Sequence, residues 1–105
     1  MTTPRIRVPS SVKAGEAFEI RTLIDHPMET GLRHQTGQAV ARRMITRFEA
    51  QADGEVLFTA DLRNGTSANP YIGFFARLVR TTTITFLWRE EDGREYRATQ
   101  RVTVT

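Results

Sequence analysis

Apolar residues recur at every second position along most of this chain. Across 16–26, Phe18, Ile20, Thr22 and Ile24 fall on one side, Glu19, Arg21 and Asp25 on the other, with Leu23 out of phase. Period two with one apolar side marks a half-buried strand. The same pattern places Ile6 and Val8 together in 5–8, a segment ended by Pro9, Ser10 and Ser11 before an Ala14–Gly15 turn. It groups Met44, Thr46, Phe48 and Ala50 in 42–52, and Val56, Phe58, Ala60 and Leu62 in 55–62. It groups Ile72, Phe74, Ala76 and Leu78 in 71–79, and Ile84, Phe86 and Trp88 in 82–90. The closing segment 94–104 turns Tyr96, Ala98, Val102 and Val104 inward, with Gln100 a polar exception. No segment has helical period.

Turn chemistry separates these runs. Asp53–Gly54 is a two-residue hairpin signal, since both central positions of a type I′ turn need positive φ. Asp92–Gly93 reads as another hairpin, 63–70 with Asn64–Gly65 as a loop, and Arg80–Thr81 as a tight turn. About seven strands at short spacing predict an all-β, immunoglobulin-like antiparallel sandwich, one domain over 1–105. The exception to the rhythm is 27–41, where no strand is expected. Loops of this length are often functional. If successive strands run antiparallel, connections alternate between the two ends. Loop 27–41, loop 63–70 and the Glu91–Asp92–Gly93 turn then share one end.

Composition narrows the class. Hydrophobic content of 39% and charge content of 26% are globular values. The net charge is +3, from 15 basic and 12 acidic residues, and every basic residue but Lys13 is arginine. Basic and acidic residues alternate, which argues against a nucleic-acid stripe and leaves an acidic partner or small anion open. The absence of cysteine removes disulfides, thiolate metal sites and cysteine catalysis. No apolar run approaches a membrane span, and the first residues lack the apolar core of a secretion signal. Read alone, this predicts a cytoplasmic chain, or one exported with a partner.

Candidate chemistry is thin. His26, His34 and Glu29 lack the spacing of a metal site, and His26 is expected to hydrogen-bond loop backbone where its strand ends. Ser67, His26 and Asp25 can be picked out as a triad, but nothing around Ser67 resembles a nucleophile elbow. Glu90–Glu91–Asp92 reads as a solvated turn. Asn69, preceding Pro70, is expected to be extended, and the bond is open to cis. Tyr71 then packs on the sandwich rim or forms an apolar contact patch. Trp88 reads as core. No catalytic, cofactor-binding or metal-binding residue emerges, and the chain reads as a binding or interaction module, not an enzyme.

Several stretches carry a resemblance. They are residues 5–9, Ala14–Gly15–Glu16, His26–Pro27–Met28–Glu29–Thr30–Gly31, 45–48, 58–62, Ser67–Ala68–Asn69–Pro70–Tyr71, 86–88, Asp92–Gly93 and 96–99. In order and spacing the chain resembles the SoxZ family of sulfur-oxidation proteins. The resemblance implies an immunoglobulin-like subunit that pairs with SoxY, whose glycine-rich C-terminal arm bears the cysteine that carries sulfur. It implies transient contacts with a cytochrome pair, a thiosulfohydrolase and a sulfane dehydrogenase, and work in the periplasm after export with SoxY. No nucleic acid, membrane or cofactor is implied. His26, Pro27, Met28, Glu29, Thr30, Gly31, Ser67, Asn69, Pro70 and Tyr71 are then expected to brace a docking edge. Met28→Asp and Tyr71→Asp should weaken pairing and leave the sandwich folded. A stand-alone anion- or ligand-binding sandwich, and a SoxZ-like subunit of a different dehydrogenase-associated carrier, remain as alternatives.

Overall fold

The computed structural model describes residues 4–31, 34–35, 37–39, 41–63 and 66–105, with backbone only at 34–35 and 38–39. Among them are ten strands and no helix. They are β1 (Pro4–Arg7), β2 (Ser11–Val12), β3 (Phe18–Ile24), β4 (His34–Gln35), β5 (Gln38–Ala39), β6 (Ile45–Ala52), β7 (Glu55–Asp61), β8 (Tyr71–Ala76), β9 (Thr82–Glu90) and β10 (Glu95–Val104). One sheet has the order β1-β3-β8 and the other β2-β10-β9-β6-β7, while β4 and β5 pair only with each other. All pairings are antiparallel except that of β2 with β10. This is the expected immunoglobulin-like sandwich, with every long strand where the period-two pattern puts one.

The differences lie where alternation breaks. Ser11, read with Pro9 and Ser10 as ending the first strand, instead forms β2 with Val12 beside the end of β10. Segment 27–41 is not strandless: it contains the β4-β5 ribbon, and Glu29 bridges Arg43. The strand read over 71–79 stops at Ala76, although Leu78 is still buried. Leu32, Arg33, Asn64 and Gly65 lie outside the described residues. Val56, expected inside, is 55% exposed. The β6-β7 register shifts so that Ala50 faces Phe58 but Gln51 faces Val56. Leu57 is therefore an extra residue, and a bulge of this kind reverses the facing of what lies beyond it. A second shift, between Ile45 and Arg47, buries Ile45 as well as Met44 and leaves Thr46 only half-buried.

The core fills the space between the sheets around Phe48, which is fully buried. Its ring lies 5.1 Å from Trp88, 6.1 Å from Phe74, 6.2 Å from Phe58 and 6.4 Å from Phe86. Phe58 of β7 stacks on Phe74 of β8 at 4.6 Å, joining the two sheets. At the opposite end from the long loops, Asp53 and Gly54 both take positive φ (53° and 77°), as the hairpin signal requires. The Asp53 carboxylate accepts bonds from Thr82 Oγ1 (2.8 Å) and Arg80 Nε (3.1 Å).

Phe48→Ala should cost about 3–5 kcal/mol, the usual loss for a fully buried aromatic. Val56→Ala should change stability by less than about 0.5 kcal/mol, as expected of a surface site. Urea denaturation of both variants checks this, and a large loss at Val56 would refute the bulge.

Candidate functional site

Three connections meet at one end of the sandwich, as strand alternation predicts. After Ile24 the chain leaves β3, and it is at once stitched to the segment that precedes β8. The His26 N–H donates to Asn69 Oδ1 (2.8 Å), and the Asn69 N–H donates back to the His26 carbonyl (2.7 Å). The Ile24 N–H reaches the Pro70 carbonyl at 3.3 Å. Asn69 is not extended: its φ is 53°. Asparagine tolerates this left-handed region better than most residues, and the reciprocal bonds to His26 hold it there. The Asn69–Pro70 peptide is trans.

Met28 also has positive φ, 50°. Its N–H donates to His26 Nδ1 at 2.9 Å. A ring nitrogen that accepts a backbone N–H carries no proton, so the ring proton sits on Nε2. Nε2 lies 2.5 Å from Glu90 Oε1 and donates to it. The expectation that His26 binds loop backbone is met, but the ring has this second partner, which sequence reading missed.

Glu90 is the corrected residue. It was expected in a solvated turn, yet it is 2% exposed. Besides His26, Oε1 accepts the Tyr96 hydroxyl (2.7 Å) and Arg43 Nη2 (2.9 Å), and Arg43 also donates to the Tyr96 oxygen (3.1 Å). The signal was present: Glu90 continues the inward phase of Ile84, Phe86 and Trp88. The acidic neighbours Glu91 and Asp92 masked it. Burial alone would raise the Glu90 pKa. The hydrogen bonds from Tyr96, His26 and Arg43, and the charge of Arg43, outweigh that and bring it down to about 2.

Around this lock the loop is pinned by backbone. The Arg43 N–H donates to the Glu29 carbonyl (2.8 Å), and the Glu91 N–H donates to Met44 (3.1 Å). Arg42 bonds the Thr30 carbonyl through Nη1 (3.0 Å) and Glu91 through Nε (2.5 Å). Gly31, at φ 85°, lies so close that a Cβ there would be 3.2 Å from Arg42 Cβ. An open groove above the lock is lined by Asp25, Pro27, Arg43, Asn69, Arg94 and Tyr96.

The ten residues expected at a docking edge therefore divide. His26, Met28 and Pro70 are buried; Glu29, Thr30 and Gly31 are half-buried; Pro27, Ser67, Asn69 and Tyr71 are exposed. Met28 belongs to the core, at 5% exposure. A carboxylate at that position would be buried without a partner, so Met28→Asp is expected to unfold the sandwich and not to spare it. The triad picked from sequence is not assembled, since Asp25 pairs with Arg5 (3.2 Å) while the ring of His26 faces Glu90. Among the described residues no cluster of three or more His, Cys, Asp or Glu could hold a metal ion.

Fold and site together define an immunoglobulin-like β-sandwich closed at one end by a buried carboxylate lock. The superoxide reductase (neelaredoxin) of Ignicoccus hospitalis shares this fold, with TM-score 0.75 and 21% identity over 98% of this chain and 80% of that one. A putative superoxide reductase from Thermotoga maritima does so with TM-score 0.73 and 19% identity, over 97% and 85% of the two chains. So does the sulfur carrier protein SoxY of Chlorobium limicola f thiosulfatophilum, with TM-score 0.68 and 16% identity over 97% and 78%. At these identities the likeness is one of fold. No curated protein sequence matches the chain. The family profile of the sulphur oxidation protein SoxZ matches residues 6–101, nearly the whole length, and the chain belongs to that family.

Two measurements test the lock. Because the folded Glu90 pKa of about 2 lies below the ordinary 4.5, the unfolded chain takes up the proton first as pH falls. Its contribution is thus complete above about pH 5 and lost toward pH 2, and amounts to on the order of 3 kcal/mol. Asp53 and Glu95, also held low by hydrogen bonds, add acid sensitivity of the same sign. The informative quantity is therefore the difference between wild type and Glu90→Gln. The variant should be less stable at pH 7 by about 3 kcal/mol or more, and the gap should close on acidification; a gap that is constant with pH would refute the assignment. Separately, long-range ¹H–¹⁵N NMR should find the His26 proton on Nε2, and a proton on Nδ1 would overturn the geometry.

Proposed function

We propose that this chain is the cysteine-free, non-catalytic subunit of a two-part sulfur carrier in thiosulfate oxidation, pairing with a SoxY-type subunit. The observation that carries this reading is the SoxZ family match along almost the entire chain. The composition is consistent with it: with no cysteine in the sequence, a thiol-bound sulfur intermediate must sit on another polypeptide. In this reading the cysteine arm belongs to SoxY, and the subunit described here stabilises that partner and shapes the surface met by the cytochrome, thiosulfohydrolase and sulfane dehydrogenase components. The compartment we assign is the periplasm, reached together with the signal-bearing partner. The exposed rim of the loop end (Pro27, Ser67 and Asn69) is available to those client enzymes, and the buried lock beneath it keeps the rim in one shape.

Co-expression with the SoxY-type chain of the same organism provides the test. The two should purify as a one-to-one complex, and after turnover with thiosulfate intact-mass measurement should find added sulfur on the partner's cysteine and none on this chain. Separate elution of the two chains would refute the pairing. Tight binding of thiosulfate or sulfate by this chain alone, measured calorimetrically, would favour a stand-alone anion-binding domain instead.

A further inference from the structure

The two outer faces of the sandwich differ in a way that marks one of them for a partner. On the larger sheet most charges are paired, although Arg101 has no carboxylate partner among the described residues. Arg47 pairs with Asp61 (3.2 Å) and Glu49 (3.7 Å), and Glu95 pairs with both Arg89 and Arg97 (3.0 Å each). Such a lattice is content in water.

The outer face of β1-β3-β8 is not. Tyr71 and Phe75 of β8 are 59% and 70% exposed, and Val79, beyond the strand's end, is 77% exposed; these are three of the four large apolar side chains that are exposed among the described residues. Tyr71 stands opposite Leu23 in the register, and Phe75 is opposite Glu19. Between the two aromatics lies Gly73, where a Cβ would be 3.6 Å from the Tyr71 ring. The strand thus presents an aromatic, a flat spot and an aromatic along one line. Scattered exposed apolar residues are ordinary; a contiguous strip is a sign of an interface.

Arginines flank the strip. Arg7 stands directly opposite Arg21 in the β1-β3 register, an arrangement that is unfavourable for like charges. Arg21 is engaged by Glu19 (2.9 Å) and Arg5 by Asp25 (3.2 Å), but Arg7 and the exposed Arg77 have no carboxylate partner among the described residues. Arg5, Arg7 and Arg21 share a groove with Leu23 and Tyr71.

We infer that this face is the docking surface for the SoxY-type subunit, whose carboxylates meet Arg7, Arg21 and Arg77 while its apolar side chains cover Tyr71 and Phe75. The inference rests on the pairing proposed above and adds its location. Charge selects the occupant. A second copy related by a twofold axis would set this arginine-flanked patch against itself, because such interfaces are self-complementary. A partner bearing acidic residues relieves the uncompensated charge, and charge complementarity of this kind speeds association and rejects wrong partners.

The test uses the full chain with its SoxY-type partner and three variants. Phe75→Glu and Arg7→Glu alter the proposed face at exposed positions, and Arg101→Glu alters the larger sheet. Thermal melts of all three should match wild type. Phe75→Glu should weaken the partner's affinity at least 100-fold, Arg7→Glu at least 10-fold, and Arg101→Glu less than twofold. The Arg7 effect should shrink with added salt. Wild-type pairing with undiminished affinity in both Phe75→Glu and Arg7→Glu would overturn the location and leave the pairing standing. A wild-type chain that does not bind the partner would overturn the pairing itself, and the location with it. A homodimer of the isolated chain that Phe75→Glu dissociates would show the face to be self-complementary and refute the assigned occupant.

Discussion

One carboxylate oxygen determines how the loop end of this molecule closes. Glu90 Oε1 accepts hydrogen bonds from His26, Arg43 and Tyr96, which come from the end of β3, the approach to β6 and the start of β10. Removing a carboxylate from water costs several kcal/mol even after relaxation. No one of these three bonds recovers that, since a hydrogen bond to a charged group contributes about 1.5–3 kcal/mol. The donors must be present together. The requirement reaches outward through His26, because the ring that donates to Glu90 is oriented by accepting the Met28 N–H, and the backbone of the same residue is tied to Asn69. Two residues with left-handed φ, Met28 and Asn69, are thereby held by bonds to one histidine.

The long strands are legible from period two because each has one face in a shared core, and the alternation of connections places loops 27–41 and 63–70 and the 91–93 turn at one end. What the pattern missed has identifiable causes. Val56 points outward because a bulge at Leu57 reverses the phase, and a bulge is a property of pairing between two strands that neither strand displays alone. The short strands β2, β4 and β5, of two residues each, carry too few positions for any periodicity. Glu90 was legible by phase but misassigned by type, since a charged residue at an inward position beside a turn is ordinarily solvated. Its three donors make the burial tolerable, and two of them, His26 and Arg43, are distant in sequence. The exposure of Tyr71 and Phe75 was also available from phase, because odd-numbered positions of β8 oppose the inward Ile72 and Phe74.

The fold does not decide the function. Superoxide reductases and a sulfur carrier protein have the same sandwich at 16–21% identity, and a scaffold of this kind hosts unrelated chemistries. On this chain polarity is unevenly distributed over that scaffold. On one outer face most charges are paired, the other presents Tyr71 and Phe75 near Arg7, which has no carboxylate partner among the described residues, and the loop end encloses Glu90. At the loop end Glu90 turns inward with three donors on its Oε1 and none among the described residues on Oε2, while Arg43 and Tyr96 also line the open groove above it.

The lock and the aromatic face are connected through register. Strand side chains alternate, so a slip of one residue in β8 would send Tyr71 and Phe75 into the core and Phe74 to solvent. The hydrophobic pattern opposes such a slip only weakly here, because both sides of β8 carry aromatics. The seam ahead of the strand is more discriminating. Its three bonds, His26 N–H to Asn69, Asn69 N–H to His26 and Ile24 N–H to Pro70, all require the present alignment and would break together. Two of these bonds are made by the backbone of His26, the residue whose ring bonds Glu90. A buried charge cluster contributes little net stability over an apolar replacement, and its best-attested use is to specify register. The present register is the one that keeps Tyr71, Gly73 and Phe75 on the outside, beside Arg7 and Arg21.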